Sequence, residues 1–185
     1  MYLETALKNM TYRCKGRGLK IYLLLHGCKV GKKLKCLQFP NFRLVPNKNI
    51  TIGNNVTIGE NITIEIIKEA ELKIGNQVNL TRNITLAANT KIEIGNYCLI
   101  GENVSLRDAN HQTKKDKLII EQASDSEPII IEEDVWVGAN CVVLKGSKIA
   151  KGAVIGANSL VLKKSSIEPY GIYTGNPVKL LKTRT

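Results

Sequence analysis

Aromatic residues are scarce in this chain of 185 residues, where one Trp, six Tyr and two Phe make up only 5% of the sequence. Proteins that bind single-stranded nucleic acid stack bases on exposed aromatic side chains, so this scarcity argues against nucleic acid as a partner. Histidine is scarcer still, with only His26 and His111. Two histidines cannot form a three-histidine zinc site within one chain, and we expect no metal site.

The five cysteines are an odd number and contain no C-x-x-C pair. This set fits neither a disulfide framework nor a zinc ribbon and suits a reducing compartment. No apolar run is long enough to span a bilayer, so we expect a cytoplasmic protein. The net charge of +11, from 27 basic against 16 acidic residues, indicates anionic partners and leaves peripheral contact with the inner membrane face open.

Branched apolar residues recur every six residues in the second half of the chain. They are Ile131, Val137, Val143, Ile149, Ile155, Val161 and Ile167. Two residues earlier, on the same face of an extended strand, lies a set that includes the smaller Cys141, Ser147, Ala153 and Ser159. Glycine and asparagine follow many of the large residues, and both accept the backbone conformation of a tight corner.

The same six-residue register occurs from Ile50 to Leu106. It fits neither a helix nor a simple alternating strand and predicts an all-β fold, a β-helix of hexapeptide repeats whose coils are stabilised by stacking. We expect an N-terminal cap at residues 1–45, with a short helix over 3–13, the β-helix at 46–168 and a C-terminal tail at 169–185.

One interruption separates the two blocks of repeats, since Ile131 follows Leu106 at an interval of 25 residues instead of six. The polar excursion at 107–128 contains His111, and loops of this length in compact domains are usually functional or disordered. An imidazole can take a proton from an alcohol near neutral pH, and Asp108 is a candidate to orient it. A surface histidine without a role is the competing interpretation.

Trp136, the only tryptophan, lies between two residues that the hexad pattern turns inward. It is therefore expected to point outward, where an aromatic side chain indicates a subunit interface or a ligand contact. A partly exposed packing residue is the alternative. His26, in the N-terminal segment, has no catalytic partner nearby in sequence and is interpreted as structural.

Three stretches resemble the hexapeptide-repeat acyltransferases, with the sugar and polysaccharide O-acetyltransferases as the most similar branch. They are Asp134-Val-Trp-Val-Gly-Ala-Asn, Ile155-Gly-Ala-Asn-Ser-Leu-Val-Leu-Lys and Gly175-Asn-Pro-Val-Lys. The resemblance covers roughly residues 50–182. It implies a left-handed parallel β-helix and a homotrimer with acetyl-CoA sites between adjacent subunits.

The resemblance also assigns roles to individual residues. His111 matches the general base, which deprotonates a sugar hydroxyl, and Asp108 is its candidate partner. The positions that match cofactor contacts are Trp136, Gly138, Ala139, Ala157, Lys163, Lys179 and Lys182. Ala139 and Ala157 are 18 residues apart, one full coil, so they are expected to stack on one edge.

The resulting hypothesis is an acetyl-CoA-dependent O-acetyltransferase that acts on a sugar or polysaccharide hydroxyl. An N-acetyltransferase for a nucleotide-linked amino sugar, or a serine acetyltransferase, is the alternative within the same fold. A non-enzymatic β-helical binding module is the alternative from another class. The excursion at 107–128 carries no signal that identifies the acceptor.

Overall fold

The computed structural model describes the backbone of residues 2–185 and the side chains of residue 7 and residues 9–185. A helix α1 (Tyr2–Leu25) precedes six complete coils, each made of three short strands. Coils 1 to 3 are β1 (Lys29–Val30), β2 (Lys35–Cys36), β3 (Asn41–Phe42); β4 (Ile50–Ile52), β5 (Thr57–Glu60), β6 (Thr63–Ile66); and β7 (Glu71–Ile74), β8 (Asn79–Arg82), β9 (Thr85–Ala88).

The later strands include a hairpin between coils 4 and 5 and another at the end of the chain. Coil 4 is β10 (Lys91–Ile94), β11 (Leu99–Ile100), β12 (Ser105–Arg107), and the first hairpin is β13 (Ala109–His111), a 3-10 turn (Ile119–Glu121) and β14 (Ser124–Ser126). Coils 5 and 6 are β15 (Ile129–Ile131), β16 (Trp136–Val137), β17 (Val142–Leu144) and β18 (Lys148–Ile149), β19 (Val154–Ile155), β20 (Leu160–Val161), followed by β21 (Gly171–Thr174) and β22 (Lys179–Thr183).

Corresponding strands of successive coils pair in parallel and form three sheets. Face A contains the first strand of each coil and face C the third, with six strands each; face B contains the second strands and ends with β21 and β22, eight in all. The predicted parallel β-helix is confirmed, with about seven turns and a geometry consistent with a left-handed helix.

The interior is filled by the residues that the hexad pattern turns inward. Val137, Val143, Ile155 and Val161 are completely buried, and so are the smaller Cys141 and Ala153. Burial raises the pKa of the Cys98 and Cys36 thiols to about 11, so these cysteines are protonated packing residues at neutral pH.

The β-helix begins earlier than the boundary expected at residue 46. The strands β1 to β3 lie within residues 29–42 and pair in parallel with the coil that follows. Cys28, Leu34 and Cys36 occupy its interior positions and are buried. Residues 29–42 are therefore a complete coil rather than part of a separate cap.

The N-terminal helix is longer than expected, since α1 extends to Leu25 rather than ending near residue 13. Its Leu19 and Leu23 side chains are buried. At Gly16 an added Cβ would lie only 2.1 Å from the Leu34 carbonyl oxygen. The helix backbone thus rests directly on the first coil and covers that end of the core.

The C-terminal segment forms a hairpin, since β22 pairs antiparallel with β21 at the end of face B. Arg184 Nη1 lies 2.9 Å from Asp134 Oδ2 and donates to the Gly152 carbonyl at 2.8 Å. Residues 171–184 therefore fold back along the β-helix. Among the described residues, no helix has both the length and the apolar character needed to cross a membrane.

Asparagine side chains form a ladder along the corner between faces B and C. Asn61, Asn83, Asn103, Asn140 and Asn158 all have a positive φ near 55°. Each side-chain amide donates to the next asparagine's oxygen, at 3.1, 3.0, 2.8 and 3.1 Å in order. The side chains that permit the corner conformation thus also link successive coils.

Replacing Asn103 by Ala should destabilise the protein more than replacing it by Gly. Both changes remove two ladder hydrogen bonds, and only Ala adds the cost of a left-handed conformation. We expect a loss of about 3 kcal/mol for Asn103→Ala and about 1–2 kcal/mol for Asn103→Gly, measured by urea unfolding. An equal loss in the two variants would contradict the conformational part of this account.

Candidate active site

The chain leaves the β-helix after β12 and returns at β15 through residues 108–128, which we call the arm. Its strands β13 and β14 pair antiparallel, with His111 opposite Ser124. The arm projects from the corner between faces C and A, because β12 belongs to face C and β15 to face A. The excursion expected from the broken repeat is therefore an ordered hairpin at one corner of coil 4.

Asp108 secures the base of the arm and is completely buried. Its carboxylate accepts three backbone N–H bonds of 2.7 Å, from Asn89, Thr90 and Lys91. These residues connect coils 3 and 4 at the same corner. Hydrogen bonds to a charged acceptor are stronger than neutral ones, so Asp108 attaches the arm to the coil below.

This position differs from the one expected for Asp108. Both of its oxygens are engaged by the main chain of the lower coil, and within the described residues it has no hydrogen bond to His111. The role that these contacts give to Asp108 is to anchor the arm. Its assignment as the partner of His111 stays a prediction.

Gln122 holds the outer part of the arm. Its side-chain oxygen accepts the Lys114 N–H at 2.8 Å, and its amide donates to the Lys114 and Lys117 carbonyls, each at 2.9 Å. Only 9% of its surface is exposed. A buried amide that satisfies three main-chain groups fixes the loop that follows His111.

His111 opens onto a cavity of about 480 Å³ between the arm and coil 5. The side chain is exposed, and neither ring nitrogen is hydrogen-bonded within the part of the chain that the structure describes. Polar residues Asn110, Thr113 and Asp125 share the lining with Lys145. An accessible imidazole in a polar cavity can accept a proton from a bound hydroxyl.

A chain of charged side chains lies beside this cavity. Asp125 of the arm pairs with Lys145, whose ammonium also lies 3.8 Å from Glu127. Glu127 in turn lies 2.6 Å from Lys163 and raises the pKa of that lysine. The ionic contacts join the arm to coils 5 and 6, so they support its orientation over the β-helix.

Of these ionic residues, only Lys163 was singled out from the sequence, and Asp125, Glu127 and Lys145 were not. Lys145 directly follows Leu144, which pairs with Arg107 one coil below, so the register alone places it beside the point where the arm departs. No sequence signal identifies Gln122, because its role depends on the path of the folded loop.

Trp136 points outward from face B, as the hexad pattern predicts, and 53% of its surface is exposed. Its neighbour on the preceding coil is Leu99 of β11, which is also half-exposed. Tyr97, in the turn just before β11, is exposed as well. His111 lies at the corner opposite face B in the triangular section. A single chain therefore does not bring Trp136 and His111 together.

Gly138, Ala139 and Ala157 lie at the corner between faces B and C. The Asn158 N–H donates to the Ala139 carbonyl at 2.8 Å, and an added Cβ on Gly138 would lie 2.7 Å from the Ala157 nitrogen. The two alanines thus stack one coil apart, as their spacing predicts. Within the described residues, neither alanine N–H has a hydrogen-bond acceptor, so both remain able to donate to a ligand.

The three candidate lysines do not form one cluster. Lys179 and Lys182 lie on β22, opposite Thr174 and Ile172 of face B. Lys163 instead lies beside the arm, in its contact with Glu127. Among the described residues, no group of three or more His, Cys, Asp or Glu side chains is placed to hold a metal ion.

Residues 128–163 match the family model for the bacterial transferase hexapeptide, which consists of six repeats. This part of the chain therefore has the repeat of the hexapeptide transferases. This match covers coils 5 and 6, and the structure extends the same repeat architecture back to coil 1.

Curated relatives match the chain over a shorter stretch. A probable macrolide acetyltransferase from Lysinibacillus sphaericus is 38% identical over 65 residues, 35% of either chain. A 2,3,4,5-tetrahydropyridine-2,6-dicarboxylate N-acetyltransferase from Staphylococcus aureus is 39% identical over 65 residues, 35% of this chain and 26% of that one. The matched stretch thus spans only about a third or a quarter of each relative.

Solved structures match nearly the whole hexapeptide-repeat chain. An N-acyltransferase from Bacillus cereus, in complex with dTDP-4-amino-4,6-dideoxyglucose and coenzyme A, superposes with a TM-score of 0.72 at 22% identity, over 90% of this chain and 87% of that one. A hexapeptide-repeat acetyltransferase from Vibrio cholerae, complexed with acetyl-CoA, gives 0.62 at 22% identity, over 94% and 87%. At this identity the likeness establishes the fold.

Replacing Asp108 by Asn should loosen the arm. The amide keeps one acceptor oxygen but turns an NH₂ group toward main-chain donors, so we expect a loss of about 3 kcal/mol in unfolding free energy. Hydrogen exchange should also become faster across residues 109–126. Asp125→Asn is the matched control: its exposed ion pair is worth about 1 kcal/mol or less. Unchanged exchange in Asp108→Asn would show that the arm does not depend on this carboxylate.

Proposed function

We propose that this protein is an acetyl-CoA-dependent O-acetyltransferase that acts on a sugar or polysaccharide hydroxyl, with His111 as the general base. The observation that carries the proposal is the placement of an accessible imidazole over a polar cavity by an anchored arm. Relatives named as acetyltransferases share sequence with coils of this chain. The five free cysteines suit a cytoplasmic enzyme.

The proposed reaction is a single acetyl transfer. His111 takes the proton of the acceptor hydroxyl while that oxygen attacks the thioester carbonyl carbon of acetyl-CoA. A carbon–oxygen bond forms, the carbon–sulfur bond breaks, and the imidazolium returns its proton to the departing CoA thiolate. The exposed position of His111 lets an acceptor as large as a glycan reach it.

The corner formed by Gly138, Ala139 and Ala157 is the proposed binding site for the pantetheine group of the cofactor. Its two N–H groups without acceptors are one coil apart and suit the amide carbonyls of an extended chain. Lys179 and Lys182 lie further along face B and can contact phosphates as charged donors. Lys163 can do so only if a phosphate displaces Glu127 from its 2.6 Å contact.

The proposed enzyme is a homotrimer with sites between adjacent subunits. Within one chain, Trp136 and His111 lie on separate sides of the β-helix, so a site that uses both needs two copies. The exposed apolar column of Tyr97, Leu99 and Trp136 supports this arrangement, because such a surface is typical of an interface or a ligand contact.

An N-acetyltransferase acting on a nucleotide-linked amino sugar is the second candidate. It is favoured by the superposition on the Bacillus cereus N-acyltransferase, whose complex contains such a sugar. Measuring acetyl transfer to matched hydroxyl and amino sugars, both free and nucleotide-linked, distinguishes the two candidates. Transfer only to the amino sugars would exclude the O-acetyltransferase.

His111→Ala should lower kcat for acetyl transfer by about 10²–10⁴-fold, because general-base catalysis contributes about that factor. His26→Ala is the matched control, since it removes the other imidazole from the N-terminal segment and should leave kcat unchanged. CoA release should be followed by chromatography, because the exposed Cys14 would react with thiol reagents. Equal turnover in wild type and His111→Ala would refute the proposed mechanism.

A further inference from the structure

A second cavity lies far from the arm, between α1 and the first two coils. Its volume is about 640 Å³. Of the ten described residues that line it, six are basic and none is acidic. The basic residues are Arg13, Arg17, Lys20, Lys32, Lys33 and Lys35.

Two rigid elements build this basic cavity. Arg13, Arg17 and Lys20 are spaced four and three residues apart, so they share one face of α1. The close contact of Gly16 with the Leu34 carbonyl holds that face against coil 1. Lys20 also donates to the Gly31 carbonyl at 2.8 Å, which ties the helix to the corner that carries Lys32 and Lys33.

The basic side chains of this cavity differ from several other lysines of the chain in their lack of a carboxylate partner among the described residues. Lys91, Lys145 and Lys151 each lie within 4 Å of a carboxylate. Among the described residues, no carboxylate forms a salt bridge with any of the six basic side chains of the cavity. Like charges gathered around one concave surface repel each other, and a bound anion would offset that repulsion.

We propose that the basic cavity binds a ligand with two linked phosphate groups, either free as in a nucleoside diphosphate or in a lipid headgroup. Guanidinium groups bind phosphate oxygens in a bidentate manner, and six cations exceed the charge of a single phosphate. The volume suits a small organic ligand, since such pockets measure about 300–1,000 Å³. Among the residues that the structure describes, no aromatic side chain lines it, so recognition rests on the phosphates rather than on a stacked base.

This cavity and the His111 cavity are separate in the fold. The first lies at the corner between faces A and B in coils 1 and 2, and the second at the corner between faces C and A beside coils 4 and 5. Three coils at a spacing of about 4.8 Å put roughly 14 Å between them along the axis. The proposal therefore stands independently of the acetyltransferase function.

Calorimetric titration of the full chain with inorganic pyrophosphate and with ADP tests the proposal. Both should bind with similar affinity, and Arg13→Ala/Arg17→Ala should weaken each at least tenfold. Both arginines are exposed, so the double variant should remain folded, which its thermal unfolding curve checks. Arg13→Lys/Arg17→Lys should give an intermediate loss, because it keeps the charge and removes the bidentate geometry.

The matched control is Lys29→Ala/Lys68→Ala, which removes two exposed positive charges outside the cavity and should change the affinity less than twofold. An equal loss in the control and the arginine variant would overturn the proposal, as would no measurable binding of pyrophosphate by the wild type. Coenzyme A also carries a diphosphate. Binding that survives Arg13→Ala/Arg17→Ala and is displaced by acetyl-CoA would likewise overturn the proposal.

Vesicles distinguish the two sources of the ligand. Retention on phosphatidylcholine vesicles that contain diacylglycerol diphosphate, reversed by pyrophosphate and lost in the arginine variant, would identify a lipid headgroup. Pyrophosphate binding without vesicle retention would identify a soluble ligand. If vesicles retain the protein, pyrophosphate does not release it and calorimetry detects no pyrophosphate binding, the proposal is wrong and the protein has a membrane-binding surface instead.

Discussion

The register between successive coils is the constraint on which the rest of this structure depends. No coil buries its interior residues alone, and the three strands of each coil pair with strands of the neighbouring coils. The asparagine ladder and the glycine corners maintain that register, because a Cβ on Gly138 would clash with the coil that stacks on it. Contacts between successive coils therefore fix the backbone at the corners, and most of the candidate site residues lie at these corners.

The arm shows how a β-helix can interrupt its repeat without losing the stack. Where the chain leaves the β-helix, the Asp108 carboxylate accepts hydrogen bonds from three N–H groups of the connection between coils 3 and 4. These N–H groups therefore have an acceptor although the repeat is interrupted. Glu127 closes the base from the other side, where its N–H donates to the Asp108 carbonyl at 2.9 Å. The arm that carries His111 is thus attached to the scaffold at its base, and the proposed role of His111 as a general base requires such a fixed geometry.

Much of the fold could be predicted from the sequence, because a period of six leaves little alternative to a β-helix. Coil 1 was missed because Cys28, Cys36 and Pro40 stand where other coils have branched residues, and Lys33 and Phe39 replace corner asparagines. At the site, the outward position of Trp136 and the stacking of Ala139 on Ala157 followed from the register alone. The anchoring role of Asp108 could not be predicted, because only the folded corner brings the N–H groups of residues 89–91 to its carboxylate.

The central claim is that one catalytic site uses His111 from one subunit and Trp136 from the next. Proposed trimers assembled from equal amounts of His111→Ala and Trp136→Ala chains test it most directly, because a site that needs both side chains predicts that each variant alone is nearly inactive. Random assembly around a threefold axis restores both side chains in about one site in four, so mixing should recover roughly a quarter of wild-type acetyl transfer. Mixed trimers with no more activity than either variant alone would contradict a site shared between subunits.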